Sequence, residues 1–305
     1  MSFAQDTKKE ILARVLSKDC CAVAAAYGIA CFGKYFDARG VVLHTEQSAV
    51  AQYAKRLYAR LGIEGKVYVK GKEESRIYEF AVKEPTQVEK MLALFGHDGG
   101  ETALRINSRN FQCNHCVNSF TAAAFLCCGT MTNPEKEYNL EFLLSRYNLS
   151  QDFAALLTGQ GFSPKYILRK GSHVIYFKAS EQIEDMLTFM GAQNAALGIM
   201  QLKVMKDFRN KANRITNCET ANIDKAVAAS GVTLQAIAQL RRQGAWDALP
   251  ESLRQAALLR EEHPDLSLKE LALLFDPPLS KSGLSHRMKK LEQLAHTLSK
   301  RAEHG

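Results

Sequence analysis

No run of apolar residues here is long enough to cross a membrane. The longest, Cys21–Gly33, falls well short of the roughly 20 residues that a spanning helix needs. The first residues, MSFAQDTKKEILARV, are charged and amphipathic and lack a basic patch followed by an apolar core, so no secretory signal is expected there. Tryptophan occurs once, at Trp246, near Leu249 and Pro250, where it is expected to anchor a core. Eight cysteines in 305 residues do not make a disulfide scaffold. Cys20-Cys21 and Cys127-Cys128 sit in or beside apolar stretches, where cysteine acts as a small buried hydrophobe, and a reducing cytoplasm fits. Cys113-Asn-His-Cys116 has zinc-like spacing, and Cys127-Cys128 is a formal candidate to complete a site. No second CxxC matches it, so neither a metal nor another cofactor is expected.

Hydrophobic residues make up 46% of the chain and charged residues 24%, which suits a soluble folded protein with room for two cores. The formal net charge is +8, a balance that favours polyanions without naming one. The excess is concentrated late: residues 201–305 hold 17 Lys/Arg against 12 Asp/Glu.

Within that third, residues 267–300 read as helix, short turn and basic helix. Ser267 is an N-cap with Glu270 placed for a capping box, and Leu268, Leu271, Ala272 and Phe275 follow at helical spacing. Asp276-Pro277-Pro278 ends that helix. Ser280 can cap the next, whose apolar residues are Leu284, Met288, Leu291 and Leu294. Its other sides carry Lys281, Ser282, Ser285, His286, Arg287, Lys289 and Lys290, residue types that meet phosphates and base edges from the major groove. From Ser280 to Arg301 the cations are Lys281, Arg287, Lys289, Lys290, Lys300 and Arg301, and the acid is Glu292. Double-stranded DNA is therefore the expected partner.

The first two thirds contain one pattern twice. Each copy has a small-residue apolar helix ending in glycine (22–33 and 120–129) and an extended stretch (41–46 and 138–144). A helix follows (51–63 and 152–162). Two strands come next, around Gly71-Lys72-Glu73-Glu74 and around Gly171-Ser172, and a closing helix (86–96 and 180–192) ends the copy. Gly33 matches Gly129, Gly62 matches Gly161 and Tyr78 matches Tyr176. Small side chains let the two opening helices pack closely on a pseudo-twofold axis, with the sheets side by side as a saddle.

Between these regions, 202–217 reads as an amphipathic helix with Leu202, Met205, Phe208, Ala212 and Ile215 on one side. Asn210, Asn213, Arg214 and Asn217 share a stripe on the other, beside Lys206 and Arg209. Asparagine is a poor helix former, so the stripe has a purpose, either DNA contact or hydrogen bonding between domains. Ala226–Leu240 and Leu253–Glu262 read as further helices.

The repeated unit resembles the LAGLIDADG homing-endonuclease domain. Phe208–Asn222, then Leu268–Ala295 with Leu279-Ser-Lys-Ser-Gly283 at its core, look like the WhiA family, as do Phe125-Leu126 before Gly129 and Tyr138-Asn-Leu-Glu141. The resemblance implies an α+β domain over 1–200, with αββαββα repeats at about 20–96 and 115–192. A polar helical connector over 201–225 and an all-α helix-turn-helix domain over 226–305 complete it. It also implies a non-catalytic, sequence-specific DNA-binding protein of the cytoplasm and nucleoid, a transcriptional regulator involved in cell division, chromosome segregation or sporulation. DNA-contact residues would be Lys281, Ser282, Ser285, His286, Arg287, Lys289, Lys290, Arg209, Asn210, Asn213 and Arg214. A protein partner at the saddle is a further expectation, and membrane binding is not expected. The rival readings are a nucleoid-associated interaction scaffold and a working homing-type endonuclease. Against the last, the positions where such enzymes carry metal-binding acids align with Phe32 and Cys128, which do not suit Mg²⁺. Asp37, Glu135 and Glu137 lie a few residues beyond.

Overall fold

A computed structural model describes residues 2–72 and 76–302, with side chains as far as Lys300. Of the polar turn expected at Gly71–Glu74, Glu73 and Glu74 lie outside the described residues. The chain divides into two compact units, one through Met205 and one from Lys206.

The first unit opens with α1 (Phe3–Ala13). Two copies of one motif follow. The first is α2 (Asp19–Phe32), β1 (Tyr35–Asp37), β2 (Gly40–Thr45), α3 (Ser48–Arg60), β3 (Lys66–Lys70), β4 (Ile77–Val82) and α4 (Pro85–Phe95). The second is α5 (Cys116–Cys128), β5 (Gly129–Met131), β6 (Leu140–Leu144), α6 (Tyr147–Gly159), β7 (Lys165–Arg169), β8 (Ser172–Phe177) and α7 (Ser180–Met190). The sheets have matching antiparallel orders, β1-β2-β4-β3 and β5-β6-β8-β7. The expected repeat is therefore present, with one strand more per copy than the sequence pattern displayed.

The α2 and α5 helices pack against each other at the centre, and nearly every residue of α2 is buried. Alanine, glycine and cysteine permit this. A Cβ on Gly28 would lie 2.8 Å from the Phe120 carbonyl oxygen and 2.8 Å from Ala123 Cβ, so the approach requires glycine. The positive φ angles of Gly62 and Gly161, 71° and 88°, turn the chain equivalently after α3 and α6.

Each sheet buries one face. Leu43, Val67 and Phe80 are cross-strand neighbours on the covered side of the first sheet, and alternation places His44, Tyr68 and Glu79 on the other. Glu79 is nonetheless buried. Burial pushes its carboxyl up, but hydrogen bonds from Lys70, His44 and Lys83 more than offset this and bring it down to about 2. Glu141 takes the corresponding role in the second sheet. Arg169 holds it at 2.6 Å and keeps its carboxyl below the usual range.

A single helix, α8 (Gln193–Arg242), runs without a break through the expected helical connector and the helix expected at Ala226–Leu240. Nothing in its sequence stops it: Gly231 is tolerated inside a helix at a cost of about 1 kcal/mol. Phe208, Ile215 and Ile223 on α8 are exposed. The second unit adds α9 (Glu251–Glu262), α10 (Leu268–Leu273) and α11 (Lys281–Ala302). Its separate core includes Ile237, Leu240, Ala256, Leu271, Leu284 and Leu291, and each fully buried large aliphatic side chain contributes about 2 kcal/mol. Trp246 packs at the edge of this core with Arg241 over its ring at 3.7 Å.

Candidate nucleic-acid interface

The helix-turn-helix forms because each end is capped locally. Ser267 Oγ accepts from the Glu270 backbone N–H, and Glu270 answers on the Ser267 N–H at 2.9 Å. The turn is pinned where the Leu279 N–H donates to the Ala272 carbonyl at 2.9 Å. Ser280 Oγ then accepts from the Gly283 N–H at 3.1 Å and starts α11. Leu284, Met288, Leu291 and Ala295 are buried, so the inner face of α11 is fixed.

Its outer face follows from that. At about 100° per residue, Lys281, Ser285 and Lys289 form one row, and Ser282, His286 and Lys290 form the next. Lys281, Ser282, His286, Lys289 and Lys290 are exposed and Ser285 is half-buried. Lys281, Lys289 and Lys290 have no acidic partner among the described residues. The first row faces a cleft of about 620 Å³, which Lys225 of α8 and Lys269 of α10 also line. Glu292 faces the same cleft, but the Thr233 hydroxyl donates to it at 2.6 Å.

Arg287 stands apart from these rows. Its guanidinium lies over the Phe275 ring at 5.5 Å and reaches the Ser252 carbonyl at 3.4 Å. Arg209, Asn210, Asn213 and Arg214 are exposed on α8. Arg214 is roughly 12 Å along the helix axis from Asn222, which lines the cleft. The structure thus brings six of the expected residues into one ladder and leaves Arg287 and the α8 group outside it.

Phe32 and Cys128 are the last residues of α2 and α5. A cavity of about 180 Å³ lies beside them, lined also by Cys31, Leu144, Arg146 and Leu149, with no carboxylate in its wall. The Arg146 guanidinium donates to the Cys31 carbonyl at 3.1 Å, which sets a positive charge in the wall of this cavity. Burial pushes the Cys128 thiol up to about 12, so it stays protonated at neutral pH. The nearby acids are engaged elsewhere. Asp37 pairs with Arg39 at 2.7 Å, which holds its carboxyl below the usual range. Glu137 pairs with Lys178 at 3.2 Å, and Glu135 lies exposed in the loop of Asn133.

One grouping escaped the sequence reading. Cys113 and Cys116 meet Cys20 and Cys21, and Cys127-Cys128 lies at the opposite end of α5. The signal was available in the repeat: with Gly33 matched to Gly129, Cys20 falls close to the start of α5.

A twice-repeated αββαββα unit followed by a capped helix-turn-helix defines a LAGLIDADG-like α+β domain joined to a helical module. The model of the WhiA LAGLIDADG-like domain matches residues 117–209, and that of the WhiA C-terminal HTH domain matches residues 212–295. The chain is 33% identical over 265 residues to the probable cell division protein WhiA of Clostridium botulinum, covering 83% of this chain and 84% of that one. The Clostridium tetani protein of the same name is 30% identical over 98% of this chain and 99% of its own. The fold matches full-length WhiA from Thermotoga maritima with a TM-score of 0.62 at 21% identity, covering 97% of this chain and 99% of that one. The chain belongs to the WhiA family.

Proposed function

We propose that this protein binds double-stranded DNA sequence-specifically through α11 and acts, without cutting DNA, as a transcriptional regulator tied to cell division, chromosome segregation or sporulation. The observation that carries this reading is the ladder of Lys281, Ser282, Ser285, His286, Lys289 and Lys290 on the outer face of a helix whose inner face is locked into a core. Lysines without acidic partners release counterions when they meet phosphates, and the serines and the histidine between them can hydrogen-bond to base edges. Arg209, Asn210, Asn213 and Arg214 add a second polar track on α8, suited to backbone contacts. The names of the clostridial relatives support the link to cell division. In the cell the protein acts on the nucleoid.

The wall of the cavity at Phe32 and Cys128 supports a non-catalytic first unit. Two-metal cleavage needs oxygen ligands on both helices, and Phe32, Cys128 and Arg146 supply none. Two experiments test the reading. A genome-wide binding profile should give sharp peaks at promoters; diffuse coating would favour an architectural scaffold instead. A strand-cleavage assay with Mg²⁺ or Mn²⁺ should give no product, and cutting that disappears on replacing Asp37 or Glu137 would overturn it.

A further inference from the structure

We propose that Cys20, Cys21, Cys113 and Cys116 form a tetrathiolate site for a single Zn²⁺ ion that clamps together the N-terminal ends of α2 and α5.

The four sulfurs already converge. Cys113 Sγ lies 3.6 Å from Cys20 Sγ, 3.7 Å from Cys21 Sγ and 3.6 Å from Cys116 Sγ. All four lie within 4.8 Å of one another. With Zn–S bonds of about 2.3 Å, the edges of a ZnS₄ tetrahedron are about 3.8 Å. Three edges match that spacing, and the other three are no longer than 4.8 Å. An iron–sulfur cluster places its own iron and sulfide between the protein thiolates and needs a wider ring than this. Among the described residues Cys31, Cys127, Cys128 and Cys218 join no such group.

Two helix N-termini meet at the site. Cys20 and Cys21 lie in the first turn of α2 and Cys116 begins α5, so the positive ends of both helix dipoles face the sulfurs. The Cys116 N–H donates to the Cys113 carbonyl at 2.9 Å, which folds the CxxC segment into a tight turn. Cys21 and Cys116 are buried and Cys20 and Cys113 are half-buried, leaving an approach from solvent. A hollow of about 230 Å³ opens there, lined by Arg14, Lys18, Cys21 and His115. Arg14 and Lys18 can offset the double negative charge of a zinc tetrathiolate. The sulfurs come from segments about 90 residues apart, one at the head of each repeat. The ion would therefore cross-link the two halves of the first unit, at the far end of the helix pair from Phe32 and Cys128.

The test uses the full-length protein purified without chelator, with metals measured by inductively coupled plasma mass spectrometry. The expected result is about one zinc per chain, lost in Cys21→Ser and Cys113→Ser and retained in Cys218→Ser. Because a cysteine variant can lose metal by failing to fold, the wild-type chain is also stripped and reloaded with Co²⁺. The reloaded protein should show the thiolate-to-cobalt charge-transfer and d–d bands of a tetrahedral S₄ site. Metal-free protein whose thiols all react freely, a disulfide within the four shown by intact mass, iron with sulfide, or zinc retained in Cys113→Ser would each overturn the proposal.

Discussion

The cationic side chains of the two units are used differently. On the first sheet Lys70 and Lys83 hold Glu79, and on the second sheet Arg169 holds Glu141. On α11 Lys281, Lys289 and Lys290 have no acidic partner among the described residues. Net charge does not distinguish these cases, but pairing does. A cation already held by a buried carboxylate stabilises the fold and offers little to a phosphate. An unpaired cation on a rigid helix does nothing for the fold and is free to displace the counterions of DNA.

The sharpest test of that contrast is a pair of multiple replacements read by fluorescence anisotropy across a salt series. Changing Lys281, Lys289 and Lys290 together to alanine should lower the salt slope by about three and reduce affinity on the order of a hundredfold or more. Changing Lys70 and Lys83 together should leave the slope unaltered. Equal effects from the two sets would erase the distinction.

Acid titration probes the paired side. Glu79 has its carboxyl lowered from 4.5 to about 2 in the folded protein. Its contribution is therefore complete above the unfolded value, near 4.5, and is lost as pH falls from there through about 2. The contribution is on the order of 3 kcal/mol. Denaturant titrations between these limits should show the first unit weakening, and Glu79→Gln should flatten the dependence. An unchanged profile in Glu79→Gln would mean the cluster does not hold the sheet.

Lys289→Ala alone should weaken binding to all sequences alike and lower the salt slope by about one. If the slope stays fixed, Lys289 does not touch the backbone. Arg287→Ala should have the smallest effect on DNA. Loss of its packing over Phe275 should cost about 1 kcal/mol of stability, seen as a lower melting temperature, with base preference intact over a sequence library. Relaxed preference with unchanged melting would assign Arg287 to base reading.

The repeat was legible because its helices are made of small residues: Gly28 and Ala123 fit where α2 and α5 approach closely, and Ala24 and Ala25 are buried beside them in sequence. The helix-turn-helix was legible because Ser267, Glu270 and Ser280 are local signals that need no tertiary partner. Strands β1 and β5 were not, since three residues such as Gly129–Met131 cannot display an alternation. The unbroken course of α8 was obscured by its asparagines, which lower helix propensity without stopping a helix. The rotation of α11 was only partly legible. Spacing placed Leu284 and Met288 inside, but what Arg287 meets depends on Phe275 and Ser252, which belong to other segments. The meeting of Cys20 with Cys113 depends likewise on how α2 and α5 pack.

Phe32 bears on whether cleavage chemistry is within easy mutational reach. Its ring lies 5.2 Å from Phe120 and 4.8 Å from Phe153, and the residue is 8% exposed. Phe32→Asp would set an ionised group among aromatic rings with little water to solvate it, a severe penalty. Under the non-catalytic reading proposed above, an acid placed at this one position is therefore not expected to create a working metal site. Phe120 and Phe153 would have to move before water could reach a carboxylate there.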